Sequence, residues 1–313
     1  KPISAGVPQG SIIGPFLFNI YTADFPAFPQ IDGIQSLSYA DDVIVYTSSY
    51  NPPLATARLS RAMETVNAYY KKWRLKMNYT KTEFIILNVG AGSATRKTIS
   101  KTENCVLKID NIVIPKPSSV TYLGVIFDQK LRFGKHISSR INKATRASGM
   151  LSNIFKNPGL STKSKSLLYT QLIRPIFTYA FPVWCNSYKT DLNKLFLLER
   201  KFLRKISGLY RDLSHPDHKY YNSKFVFRES QVKKDLSSLL ASMTRRIKDR
   251  LVNSDNSLMR ELVESYQNVS TFEKFTIPVK FLLEPELPSV LKDTLIRNLL
   301  SDEDDFWSEF NDR

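Results

Sequence analysis

Two aspartates stand side by side in a run of strand-forming residues, Leu37-Ser38-Tyr39-Ala40-Asp41-Asp42-Val43-Ile44-Val45. Adjacent carboxylates repel one another, and beside a core they lose hydration as well. A chain that half-buries this stretch needs positive charge there, and a divalent metal ion is the usual means. Leu37, Tyr39, Val43 and Val45 follow a period of two, so residues 36–47 read as a hairpin with a two-residue tip at Asp41-Asp42. Successive side chains of a strand point to opposite faces, which gives the two carboxylates unequal roles: one faces a metal squarely, the other is peripheral. A two-metal site holds Mg²⁺ ions roughly 4 Å apart through oxygen ligands, Mn²⁺ being the alternative ion. Two neighbouring carboxylates are too few for such a site, and a third is expected from another segment. The competing reading is a plain polar turn, since aspartate is common in turns.

Charge is distributed unevenly along the 313 residues, whose net charge is +16. Residues 1–50 carry one lysine and four aspartates, residues 51–250 carry 38 basic against 12 acidic groups, and residues 251–313 carry 6 against 13. A long basic stretch calls for a polyanionic partner, and an acidic patch beside it suits metal ions next to a nucleic-acid backbone. Cys105 and Cys185 are the only cysteines, and His136, His215 and His218 the only histidines. That excludes a disulfide framework or a cysteine-rich zinc module within these residues and fits a reducing, intracellular setting. The histidines are scattered and read as structural or surface groups. No apolar run reaches the roughly 18–20 residues that span a bilayer.

The pattern of elements changes along the chain. Gly6-Val7-Pro8-Gln9-Gly10-Ser11 is a loop, and Ser11 caps a helix to about Phe25 with Ile13, Phe16, Leu17 and Ile20 on one face. After the hairpin, Pro52-Pro53 opens a helix to about Trp73, striped by Leu59, Met63, Val66, Tyr70 and Trp73. Residues 83–89 read as a strand, residues 105–109 and 112–114 as a hairpin turning at Asp110-Asn111, and residues 120–127 as a further strand. Residues 90–101 are a polar connector. From Gly134 the signals are helical: residues 135–155, a helix from Ser161 toward Tyr179 with a break at Pro175, residues 190–207 ending at Gly208, and a basic pattern from about Ser230 to Asn253. The last sixty residues are acidic and read as helical; Asp302-Glu303-Asp304-Asp305 reads as a solvated tail rather than a nuclease site.

The loop at 6–11, followed about thirty residues later by Tyr39-Ala40-Asp41-Asp42 between apolar strands, closely resembles the reverse transcriptases of non-LTR (LINE-type) retrotransposons, with a jockey-like character. Gly6 to Ser11 with Ile13-Gly14-Pro15-Phe16-Leu17-Phe18 is similar to the family's loop beside the incoming nucleotide and template base. Tyr39 to Asp42 is similar to its metal-binding hairpin, and Asn78 with Lys81-Thr82 to its next motif. Tyr122-Leu123-Gly124 resembles the primer grip, and Arg174-Pro175 through Tyr179 and Trp184 resemble the thumb-side segment. The resemblance covers about residues 1–210.

The resemblance implies an α+β fold: a partial polymerase palm, antiparallel sheet with helices, over residues 1–133, an all-helical, basic, thumb-like domain over 134–250, and an acidic helical region over 251–313. It implies an RNA-directed DNA polymerase with RNA template, DNA primer and dNTP as partners. Asp41 and Asp42 would hold two Mg²⁺ ions. Gly6, Pro8, Gln9 and Gly10 would shape the nucleotide pocket, where small residues let a base pair approach. Tyr39 would lie by the primer end, and Lys81 near the triphosphate as a proton donor to pyrophosphate. A solvated lysine and a loop hydrogen bond are the plain readings of Lys81 and Gln9. Lys135, Arg140, Lys143 and Arg146 would contact phosphates, a solvated helix face being the alternative. Tyr220, Tyr221, Phe225 and Phe227, interleaved with Lys219, Lys224 and Arg228, would stack on bases or pack in the core.

The family's remaining metal ligand lies upstream of the glycine loop, yet only five residues precede Gly6 and none is acidic. The expectation is therefore a piece of a longer protein that performs no DNA synthesis alone. The parent would work in a cytoplasmic ribonucleoprotein with the element's RNA and in the nucleus, with no membrane partner. The non-enzymatic alternative is a catalytically dead or domesticated remnant that binds nucleic acid.

Overall fold

The computed structural model describes residues 6, 10–28, 31, 33–87, 102–185, 187–210 and 220–255. Pro8, Gln9, the connector 90–101, His215, His218, Lys219 and residues 256–313 lie outside them. The chain divides into two compact units between Val120 and Thr121. Small antiparallel sheets precede a helical assembly, an α+β arrangement.

In the first unit, helix α1 spans Gly14–Tyr21. Ser11 Oγ accepts the Gly14 N–H at 3.0 Å, and Pro15 sits in the first turn where its missing N–H costs little. The helix stops well short of Phe25, because Thr22 folds its hydroxyl onto the Phe18 carbonyl at 3.0 Å and the chain turns. The apolar stripe is presented outward: Ile13, Phe16 and Ile20 are 61%, 65% and 58% exposed. Strands β1 (Ile34–Tyr39) and β2 (Asp42–Thr47) pair antiparallel with Ser36 opposite Val45 and Tyr39 opposite Asp42. Helix α2, Pro52–Lys72, lies on the base of this hairpin and encloses Ala62 and Val66 with Phe28, Ile34 and Val45.

A second small core gathers Phe84, Cys105, Leu107, Ile109 and Ile114. Strands β3 (Lys108–Ile109) and β4 (Ile112–Val113) turn at Asp110 and Asn111, both at positive φ (48° and 62°), as a two-residue hairpin loop requires. The strand expected over 83–89 is not a sheet member across residues 83–87. There the Phe84 N–H donates to the Pro115 carbonyl at 2.9 Å, which fastens an extended segment without a ladder.

The single strand expected over 120–127 is a hairpin. Strands β5 (Ser119–Tyr122) and β6 (Val125–Asp128) reverse at Leu123 and Gly124, at φ 44° and 75°. The Asp128 carboxylate accepts the N–H groups of Lys130, Arg132 and Phe133 at 3.1, 3.2 and 2.7 Å, and so shapes the entry to helix α3, Gly134–Met150. The helix expected to continue to Phe155 breaks at Leu151 and resumes as α4, Ser152–Lys156.

Ser161 Oγ caps α5 (Thr162–Leu168) through the Ser164 N–H at 3.1 Å, as its sequence position indicates. A π-turn, Tyr169–Ile173, then leads into α6 (Arg174–Thr178) and α7 (Phe181–Trp184). The expected break at Pro175 is handled one turn earlier: a widened turn accommodates the missing N–H, and Pro175 falls in the first turn of α6. Helix α8, Lys189–Ser207, ends at Gly208 with φ 75°, and α9 spans Ser223–Glu229. Helix α10, Leu236–Val252, starts where Asp235 Oδ1 accepts the Ser238 N–H at 2.8 Å, six residues later than the basic pattern indicates.

The core of this unit packs Phe133, Ile137, Tyr169, Phe177, Phe181, Trp184, Leu192, Leu195 and Leu236. An ion pair of Arg174 and Glu199 lies inside it, each side chain under a tenth exposed. Arg174 also donates to the Lys234 carbonyl at 2.8 Å, while Glu199 accepts the Tyr169 hydroxyl at 3.1 Å and the Leu236 N–H at 2.8 Å. One polar cluster thus ties the π-turn, α6, α8 and the start of α10 together. Cys105 and Cys185 are buried and form no disulfide.

Candidate functional site

The acidic pair sits one residue away from its expected place. With Tyr39 paired to Asp42, the turn consists of Ala40 and Asp41, and Ala40 takes the left-handed φ of 52°. Asp41 therefore belongs to the turn and Asp42 to the first rung of β2. The apolar residues of the two strands divide between the faces of the hairpin. Leu37 and Tyr39 share a face with Asp42 and Ile44, whereas Val43 and Val45 lie on the face toward α2. Tyr39, Asp41 and Asp42 are exposed, so the two carboxylates keep their hydration and need no counter-ion to fold.

Gly6 and Gly10 have φ of 85° and 83°, and a Cβ at either would meet no atom of the described residues within 4 Å. Their left-handed backbone demands glycine, and the space above both is open. Lys81 is exposed at the end of a turn organised by Asn78, whose carbonyl accepts the Lys81 and Thr82 N–H groups at 3.1 and 3.0 Å. The Asn78–Lys81–Thr82 spacing is thus a turn stabilised by asparagine.

Among the described residues no three of His, Cys, Asp and Glu come together to hold a metal ion. Asp41 and Asp42 alone supply too few oxygen ligands for a pair of magnesium ions, each of which needs near-octahedral coordination. No chemical step through a metal follows from these residues alone.

The second unit contains the turn resembling the primer grip. Tyr179 OH donates to the Leu123 carbonyl at 2.8 Å, and the Arg140 guanidinium donates to the Gly124 carbonyl. Arg140 also lies over the Tyr179 ring, 4.4 Å from its centroid. A Cβ on Gly124 would come within 3.3 Å of Arg140 Nη2 and 3.5 Å of Tyr179 Cε1, so glycine is required both for φ and for close approach. Two side chains from α3 and the end of α6 therefore clamp both carbonyls of a tight turn. The sequence marks Arg140 only as one more basic residue, since a partner 16 positions away leaves no local pattern.

Below the clamp, His136 is fully buried, its Nδ1 accepting the Ile126 N–H at 3.2 Å and its ring facing Trp184 at 5.7 Å. Burial pushes its pKa down to about 4 from 6.5; Arg140 and Lys143 push the same way, and the Tyr179 carbonyl opposes them. The folded state thus holds His136 neutral while the unfolded chain protonates below about 6.5. The contribution is fully present above pH 6.5 and is lost as pH falls toward 4. Between pH 7 and pH 5 the second unit should lose about 2 kcal/mol from this group. Urea unfolding at the two pH values measures the loss, and His136→Asn, which retains an acceptor for Ile126, should remove most of it.

Of the four basic residues assigned to phosphate contact, Lys135, Lys143 and Arg146 are exposed on α3, and Arg140 is engaged in the clamp. Lys135 and Arg146 line a groove between α3 and α8. Of the aromatic residues around α9, Tyr221 and Phe227 pack against the core. Tyr220 and Phe225 are exposed beside Arg204 and Arg228, whose guanidinium carbons lie 5.5 and 5.1 Å from the ring centroids. No helix among the described residues is long and apolar enough to cross a membrane.

Residues 1–127 match the family described as reverse transcriptase (RNA-dependent DNA polymerase). Over 269 residues the chain is 28% identical to the probable RNA-directed DNA polymerase from transposon BS of Drosophila melanogaster, covering 84% of this chain and 28% of that protein. Over 268 residues it is 31% identical to the RNA-directed DNA polymerase from mobile element jockey of Drosophila funebris, covering 84% and 27%. The probable RNA-directed DNA polymerase from transposon X-element of Drosophila melanogaster is 26% identical over 227 residues, covering 67% and 24%. No solved structure matches the chain. The chain belongs to the reverse transcriptases of non-LTR retrotransposons, in their jockey-like group. It spans little more than a quarter of the length of the first two relatives.

Proposed function

We propose that these residues form part of an RNA-directed DNA polymerase that copies RNA into DNA, with the first unit as part of its palm and the helical unit as its thumb. The observation that carries this reading is the placement of Asp41 at the tip of a tight hairpin whose Tyr39-Ala40-Asp41-Asp42 sequence lies within the stretch matching the family. An exposed carboxylate on a rigid two-residue turn is free to approach a ligand and a second carboxylate supplied by another segment. When bound, magnesium would supply charge neutralisation at the transferred phosphate. The chain's own groups bind and orient: Gly6 and Gly10 leave open space where a base pair approaches, Tyr39 flanks the acidic turn, and Lys81 projects into solvent as a cation for the triphosphate. The partners are an RNA template, a DNA primer and a dNTP, within a ribonucleoprotein of the element's RNA that reaches the nucleus.

Positioning and charge neutralisation, rather than a protein nucleophile, carry phosphoryl transfer. Primer extension on an RNA template by a protein of the relatives' full length containing these residues tests the reading. Asp41→Asn should lower the rate by about 10³-fold or more, since a lost metal contact removes several kcal/mol of transition-state stabilisation. Lys81→Gln should cost less, about 10–100-fold, as loss of one positioned proton donor. A wild-type protein that binds the primer–template without extending it would instead establish a binding remnant.

A further inference from the structure

Among the described residues three tight turns join paired strands, and one of them carries a side chain that its backbone does not favour. Asp110 and Asn111 tolerate the positive φ of the β3–β4 turn. The β5–β6 turn instead sets Leu123 at φ 44° before Gly124 at φ 75°. A turn with both central residues at positive φ prefers Asn-Gly or Asp-Gly, whose first side chain can hydrogen-bond locally, and leucine has no such bond to offset the crowding. Burial does not compensate for it: Leu123 is 38% exposed and lies outside the core of the unit. Side chains from elsewhere impose the conformation. Tyr179 OH holds the Leu123 carbonyl at 2.8 Å, Arg140 holds the Gly124 carbonyl, and the guanidinium lies over the Tyr179 ring, so each contact supports the other. Tyr179 is itself fixed, because its own carbonyl accepts the Nε1–H of the buried Trp184 at 2.9 Å. Arg140 extends from α3 one turn beyond the fully buried Ile137.

An exposed side chain held in an unfavourable backbone conformation by its surroundings is characteristic of a contact site. We propose that Arg140 and Tyr179 are positioning residues of the polymerase reaction, holding the Leu123-Gly124 turn so that the Leu123 side chain meets the primer strand in one fixed place. The assignment rests on the polymerase reading, under which this turn resembles the primer grip. Arg140 acts through the turn and not on a phosphate. Leucine offers an apolar contact to the sugars of the strand, which is the same for every base. Asparagine would relax the backbone and replace that contact with a polar amide. Fold and function therefore make opposite demands at position 123. A displacement of about 1 Å near reacting groups can lower a rate by about 100-fold. Affinity for a duplex is set mostly by phosphate contacts along its length. A loosened turn should therefore lower kcat and leave duplex binding nearly unchanged.

The experiment measures primer extension on an RNA template by a protein of the relatives' full length containing these residues, together with urea unfolding of the 313-residue chain. Tyr179→Phe removes only the hydroxyl, and Arg140→Lys keeps the charge but loses the planar fork. Each should lower kcat by about tenfold, and the two together by about 10–100-fold, since they act on one turn. The Kd for the primer–template should change by less than about twofold at each salt concentration. Leu123→Asn should lower the unfolding equilibrium constant by about fivefold while lowering kcat by about tenfold. Because that variant is the more stable one, unfolding cannot account for its lost activity. Wild-type kcat in both Tyr179→Phe and Arg140→Lys overturns the assignment, and so does a Leu123→Asn protein of full activity. A fall in duplex affinity as large as the fall in kcat also overturns it, marking direct contact instead of positioning. A wild-type protein that extends no primer overturns the polymerase reading and this assignment together, whereas a wild-type protein that extends while the variants match it overturns this assignment alone.

Discussion

Replacing Arg174 with Met should destabilise the helical unit by about 3–5 kcal/mol, the cost of leaving a buried charge without its partner. The cause is what remains behind. Glu199 is buried, and burial already pushes its carboxyl above the ordinary range; the Arg174 guanidinium, the Leu236 N–H and the Tyr169 hydroxyl pull the other way. Without the guanidinium, the carboxylate must take up a proton or bury an uncompensated charge, and the Lys234 carbonyl loses its donor. Denaturant unfolding at pH 7 measures the loss. It should shrink at lower pH, where protonation of Glu199 becomes easier. Glu199→Gln in the Arg174→Met background should recover part of the stability, because the pair is coupled and its effects do not add. A loss under about 1 kcal/mol for the single variant would mean that solvent reaches the cluster.

Trp184→Ala should cost about 3–5 kcal/mol, the range for removing a large aromatic side chain from a packed core. The Trp184 side chain is fully buried, meets Phe181 edge-on at 4.9 Å and donates from Nε1 to the Tyr179 carbonyl at 2.9 Å. Its loss opens space beside His136 and frees the backbone at Tyr179, whose hydroxyl holds the Leu123 carbonyl. Two readouts should follow together. Stability falls, and the pKa of His136 moves up from about 4 toward 6.5 as water reaches the ring, visible in its proton chemical shifts. A stability loss with an unmoved histidine would mean that the cavity collapses dry.

Much of this arrangement was legible in local sequence signals. The Asp110-Asn111 turn, the Ser161 cap, the Gly208 stop and the proline-opened α2 all rest on residues whose backbone preferences or capping groups act within a few positions. The errors share a cause. Treating Asp41-Asp42 as the hairpin tip rested on aspartate's turn preference, while the pairing places Ala40 in the first turn position and so moves every cross-strand partner along by two residues. The Leu123-Gly124 reversal was missed because the apolar run on both sides hides a single glycine. Periodicity placed Ile13, Phe16, Leu17 and Ile20 on one face of α1, but it states that a helix is amphipathic and not what it packs against.

Long-range constructions left no trace in sequence. The Arg140–Tyr179 clamp, the Arg174–Glu199 pair and the seat of His136 join positions 10 to 56 residues apart. A pairwise ion match across such spans is one among dozens that composition permits. The candidate site was legible in type: the residue pattern identified the acidic turn and its family.

Primer extension by the 313-residue chain alone, on an RNA template with a DNA primer, dNTPs and millimolar Mg²⁺, tests most directly whether its acidic turn is an unfinished metal site. The account predicts no added nucleotide above the Asp41→Asn background, while the same preparation binds the primer–template duplex. Template-directed extension that Asp41→Asn abolishes would contradict it, because the chain would then assemble a working metal pair from its own residues.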